Sequence, residues 1–111
     1  MGVDAMTGFD ERGKGAERKF QHDEELRFKM NARRAKLTGL WVAAQLGLTG
    51  AEAEAYAKSV VVEDMTKPGD DDIIDKVMAD LKAKGVEMTE HRIRKELDGF
   101  GVLAREQLMK E

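Results

Sequence analysis

Apolar residues recur along this chain with helical spacing. Leu26, Met30, Leu37, Trp41, Ala44 and Leu48 follow at intervals of four, three or seven and draw one stripe. Arg33 interrupts the stripe, where a long stem can pack while its head reaches water. Asp23, Glu24 and Glu25 precede the stripe and suit the positive end of a helix dipole; Gly47 supplies a C-terminal cap. A second helix is predicted from Thr49, with Thr49 and Glu52 as a capping box and Leu48 against Ala53 as a staple. Its inward side is Ala53, Tyr56, Ala57, Val60, Val61 and Met65. The three consecutive valines lower its intrinsic propensity, so it depends on packing. Lys67-Pro68-Gly69 stops it.

Asp70-Asp71-Asp72 opens a third helix with Ile73, Ile74, Val77, Met78 and Leu81 inward, ended by Gly85. Thr89 caps a fourth, stapled by Met88 and Ile93, whose buried side is Ile93, Leu97, Phe100, Ala104 and Leu108. Gly99 and Gly101 inside it mark a kink or a close helix crossing. Four amphipathic helices with short connections pack most simply as an antiparallel bundle, so the fold class is all-α. Residues 1–20 stand apart. Gly2, Gly8, Gly13 and Gly15 and few large apolar groups predict a flexible tail, leaving 21–111 as the bundle.

Composition narrows the function more than it defines it. At 111 residues the chain is one domain's length and buries roughly 60–70% of its unfolded surface. With no cysteine there is no disulfide, thiolate nucleophile or Cys-based metal site. A net charge of −3 argues against a nucleic-acid binder, although Arg92, Arg94 and Lys95 form a local basic group. No apolar run reaches the roughly 20 residues of a membrane span. The first residues lack the basic and apolar regions of a secretory signal, and Met6 is read as an alternative start. These features fit a cytoplasmic monomer without membrane insertion.

Catalytic and metal chemistry find no foothold. Asp70, Asp71, Asp72 and Asp75 lack the alternation and central glycine of a calcium loop, and read as a helix start. His22 and His91 have no partner at metal spacing. Gly13-Lys14-Gly15 is not a phosphate loop, and no nucleophile–base pair can be assembled, so no enzyme is expected. One constellation has ligand potential. Lys29, Arg33, Arg34 and Lys36 form a basic patch, with Trp41 about two turns from Arg34. It could grip the phosphate of ATP or ADP with the base near Trp41, or serve as a solvated face paired with acids, as Glu25 and Lys29 would pair at i,i+4.

The ordered string Phe9-Asp10-Glu11-Arg12, Glu17, Phe20, His22-Asp23-Glu24-Glu25-Leu26, Phe28-Lys29, Ala32-Arg33-Arg34, Lys36-Leu37, Gly39-Leu40-Trp41 resembles the ζ-subunit family of α-proteobacterial F-type ATP synthases. Tyr56, Pro68-Gly69-Asp70 and the closing helix extend the resemblance from Phe9 to the C-terminus. It implies a four-helix bundle and a small inhibitor of ATP hydrolysis, peripheral to the inner membrane through the ATP synthase. It implies an N-terminal segment that becomes helical as it wedges between α and β subunits against the γ rotor. On this chain Phe9 and Phe20 would be its apolar anchors and Asp10, Arg12, Glu17 and Arg18 its polar contacts. Where family tails tend to carry an acid, a helix former and an aromatic, this chain has Gly13, Gly15 and Ala16. The resemblance therefore implies weakened inhibition. The alternative function is a nucleotide-sensing bundle that binds ATP or ADP without catalysis.

Overall fold

The computed structural model describes the backbone of residues 6–67 and 69–111 and the side chains of 23–67 and 69–111. Four helices account for almost all of it: α1 (Met6–Gln45), α2 (Gly50–Thr66), α3 (Asp71–Ala83) and α4 (Glu90–Met109). The described residues include no strand. α1 packs along both α2 and α4, α3 closes the opposite side against those two, and α2 and α4 lie across the diagonal from each other. This is the square of an antiparallel bundle with short connections, as the apolar pattern predicts.

The core is aliphatic. Val42, Val60, Ile73, Ile74, Val77, Leu81, Ile93 and Leu97 are fully enclosed, with Trp41, Leu46, Tyr56 and Met78 packed around them. Thr38 is buried among them and satisfied: its hydroxyl donates to the Arg34 carbonyl at 2.8 Å.

Helix ends largely follow the expected chemistry. Gly47 (φ 81) and Gly85 (φ 74) close α1 and α3 with paired backbone bonds. Leu48 N–H reaches Ala43 O at 2.9 Å and Gly47 N–H reaches Ala44 O at 3.1 Å. Val86 N–H and Gly85 N–H repeat this on Leu81 O and Lys82 O. Both are Schellman closures, and they need the left-handed conformation that glycine adopts without strain. Thr89 caps α4, accepting from Arg92 N–H at 3.1 Å. The Thr49–Glu52 capping box does not form. Thr49 precedes α2 but makes no side-chain cap, and Gly50 follows at φ 58, outside the helical φ of a regular first turn.

Two further expectations are corrected. The helix expected to open at Asp23 opens earlier, since α1 starts at Met6. Once a helix is nucleated, each added residue gains a backbone bond without a new nucleation cost. The buried seam of α1 also differs from the expected stripe. Ala35, Thr38, Gly39, Val42 and Ala43 are buried, while Leu26, Met30, Leu37 and Trp41 are half-buried and Ala44 is exposed. The reason is a close crossing with α2: a Cβ on Gly39 would lie 2.6 Å from the Ala57 Cα. Small residues, not large ones, face α2 there. The tightest approach is at Gly39; on α4, which runs unbroken, a Cβ on Gly99 would meet nothing within 4 Å, whereas one on Gly101 would stand 3.3 Å from the Arg34 Cδ, so the expected close crossing falls at Gly101. On α2, Met65 is exposed instead of inward.

Candidate functional site

α1 carries both groups of candidate residues, and they lie at its two ends. The tail set, Phe9, Asp10, Arg12, Glu17, Arg18 and Phe20, lies on its N-terminal half, and its side chains fall outside the described residues. What the fold gives them is position. α1 is continuous from Met6, and among the residues with described side chains the first fully buried one is Ala35, about 40 Å along the helix from its start. Residues 23–29 are exposed except for half-buried Leu26. That length presents a rod whose far end is anchored in a bundle.

The basic set lies further along. Arg34 turns inward between α1 and α4, its Cδ 3.3 Å from where a Gly101 Cβ would stand. Its guanidinium forms a fork with the Asp70 carboxylate at the start of α3, with Nη1 donating to Oδ2 at 3.4 Å and Nη2 donating to Oδ1. Its Nε is buried without a partner. Arg33 pairs with Glu111 at the C-terminus. Lys29 and Lys36 are exposed, and among the described residues neither has a carboxylate within ion-pair distance, so the Glu25–Lys29 pair is not made. Trp41 packs at 6.5 Å from Phe100 and carries the Arg92 guanidinium 5.5 Å above its ring. Arg92 is in turn held by Glu96 at 3.0 Å. The arginines of the basic patch and Trp41 thus each have partners of their own. A nucleotide there would displace Glu111 and Asp70 from the two arginines and Arg92 from the indole.

Several acids have bases as partners. Asp70 serves Arg34, and Asp71 joins α3 to α4 through Arg94 at 3.0 Å, which also holds Glu90. Asp80 accepts from the Tyr56 hydroxyl at 2.7 Å and from Lys76 at 3.2 Å, and Lys76 lies 5.2 Å over the Tyr56 ring. Burial foremost, then the bond to Asp80, pushes the Tyr56 hydroxyl far above its ordinary value of 10.0. His91 is exposed, as expected. Among the described residues no three His, Asp or Glu side chains could hold a metal ion.

Grooves open on the described surface at two places of note. The larger, about 830 Å³, lies at the α3–α4 connection against Met78, Val86, Met88 and Arg92. The smaller, about 300 Å³, lies between α1 and the end of α2, lined by Phe28, Asn31, Ala32, Asp64, Met65 and Gly69. Sequence reasoning missed Asp64 altogether. It sits one residue before a methionine that periodicity assigns to the core, and nothing local marks it. Asp64 is half-buried, and burial raises its pKa above the ordinary 3.8, Asp70 adding to the rise and Arg34 opposing it.

With this geometry in hand, the comparisons are decisive. The family model described as ATPase inhibitor subunit zeta matches residues 6–107. The chain belongs to that family. The match begins where α1 begins and runs nearly to the end of α4, so the ζ family signature covers tail and bundle together. Among solved structures, one determined in solution by NMR is 44% identical, with a TM-score of 0.68, covering 77% of this chain and 96% of that one. No curated protein matches the ζ-family chain. No described helix is long and apolar enough to cross a membrane.

Proposed function

We propose that this chain inhibits ATP hydrolysis by the F-type ATP synthase, inserting the N-terminal half of α1 into the catalytic head while the bundle holds its other end. The observation that carries the reading is membership of the ATPase inhibitor subunit zeta family over residues 6–107, which includes the whole inserting segment. An inhibitor subunit acts by occupying its partner, so a regulatory role without catalysis follows, together with association with the enzyme complex. The continuous helix supports the wedge. A segment inserted into an interface must satisfy its own backbone, and a helix does so internally. Phe9 and Phe20 are eleven residues apart, about three turns, so they share one face of that helix. They would be its apolar anchors, with Asp10, Arg12, Glu17 and Arg18 as polar contacts.

The mechanism is steric and conformational. Catalysis in the head requires its subunit interfaces to change shape in turn, and a helix lodged in one of them fixes it. Binding energy from the anchors must exceed the cost of ordering a segment that contains Gly8, Gly13 and Gly15. The test is an ATP hydrolysis assay on the isolated head with the full chain and with a chain lacking residues 1–20. The full chain should inhibit and the shortened one should not. Equal inhibition by both would reject insertion of the tail.

A further inference from the structure

The groove between α1 and the end of α2 has a chemistry that neither the tail nor the bundle core explains. Phe28 on α1 is 58% exposed and Met65 on α2 is 49% exposed. They are large apolar side chains lining one opening of about 300 Å³. Between them lies Asp64, half-buried, with no hydrogen bond or ion pair among the described residues. The nearest cation in electrostatic terms is Arg34, and its fork is already committed to Asp70. Arg34, Asp70 and Asp64 together carry a net charge of −1, from one base and two acids. A carboxylate drawn partly out of water without a partner costs stability. Folding alone gives no reason to keep it there.

We propose that this groove receives an arginine side chain of the partner protein, its guanidinium paired with the Asp64 carboxylate and stacked on the Phe28 ring. One positive charge neutralises the local excess. The planar guanidinium matches a carboxylate in two parallel hydrogen bonds and also lies well on an aromatic face, whereas an ammonium does only part of this. Its aliphatic stem fits the apolar wall supplied by Met65 and Ala32. This deepens the inhibitor reading and rests on it for the partner's identity: the bundle adds a second, tail-independent contact to the enzyme head. The groove lies on α1 itself, at Phe28, a little over two turns beyond Phe20, so a partner engaged by the tail reaches it without spanning a gap.

Two measurements separate the groove from the inhibitor reading. In the first, the isolated full chain is titrated with N-acetyl-arginine amide and, in parallel, with the neutral isostere N-acetyl-citrulline amide, and followed by NMR. Saturable shifts at Phe28, Asp64 and Met65 with the arginine compound are expected. Affinity for the citrulline compound should be at least about tenfold weaker, and Asp64→Asn should lose about as much. Equal response to both compounds, or full response in D64N, would overturn the proposal whether or not the protein inhibits anything. In the second, D64N is assayed against the enzyme head. Because it removes an unpaired carboxylate it should melt no lower than the native chain, yet need about tenfold more protein for half-inhibition. A native chain that inhibits, with an equally potent D64N, would overturn the partner contact while leaving the inhibitor reading intact. A native chain that does not inhibit removes that reading alone, and the arginine titration still decides the groove.

Discussion

Tyr56 and Asp64 sit on the same helix, and both have raised pKa values through burial, so both make stability fall as pH rises, in different windows. Tyr56 is neutral and donates to Asp80, so its folded form resists ionisation. Protons are then released only on unfolding, and stability present below pH 10.0 is lost as pH rises above it. Tyr56 is the only tyrosine. Alkaline titration followed by phenolate absorbance should therefore show ionisation only together with loss of helix by circular dichroism; a phenolate signal near pH 10 in a folded chain would contradict the bond. Tyr56→Phe removes the donor and should cost about 1 kcal/mol in denaturant unfolding. Asp64 follows the same sign in the acid range. Its folded pKa lies above the unfolded 3.8, so the folded state holds the proton more tightly. Stability attributable to Asp64 therefore falls as pH rises through that window, and the ionised carboxylate is a net cost at neutral pH. The difference in stability between the native chain and Asp64→Asn should grow from pH 4 towards neutrality. A difference that shrinks with rising pH would show that Asp64 is stabilised by a partner instead.

The helices show where pattern reading succeeds and where it fails. α3 was legible in full: acids at its start, Ile73, Ile74, Val77 and Leu81 buried, and Gly85 as its stop. A short helix with one apolar face leaves little ambiguity. α1 was not, because its seam against α2 is made of Ala35, Gly39 and Ala43, which a search for large apolar residues passes over. Glycine position has testable weight here. Gly39→Ala places a Cβ 2.6 Å from the Ala57 Cα, so backbone must separate, and a loss of about 1–3 kcal/mol is expected. Gly99→Ala in α4 meets nothing and should gain about 0.5–1 kcal/mol from helix propensity. Chemical denaturation of the two variants checks both signs, and a neutral Gly39→Ala would show that the helices can part freely. The site was less legible than the fold. Arg33 and Arg34 were visible as a basic pair, but their partners, Glu111 and Asp70, are 78 and 36 residues away. Periodicity cannot see such distances.

The described residues span 67 × 25 × 21 Å, and that length belongs to α1. In the proposed inhibitor reading, the bundle folds and the N-terminal half of α1 inserts. Because the fully buried described residues begin at Ala35, removal of residues 1–20 should leave the bundle helical and cooperative, with a melting temperature close to that of the full chain. Collapse of that variant would show that the long helix is part of the core. The central claim is that ordering the first half of α1 on the enzyme head sets the potency of inhibition. Gly13→Glu, Gly15→Ala and Ala16→Phe, combined, test it in the direction of gain. Replacing two glycines by helix formers recovers about 1.5–2 kcal/mol of helix propensity, more than tenfold in affinity before the added aromatic is counted. The decisive measurement is the concentration for half-inhibition of ATP hydrolysis by the isolated head. It should be at least about tenfold lower for the triple variant than for the native chain. Equal potency, or a weaker triple variant, would contradict the account.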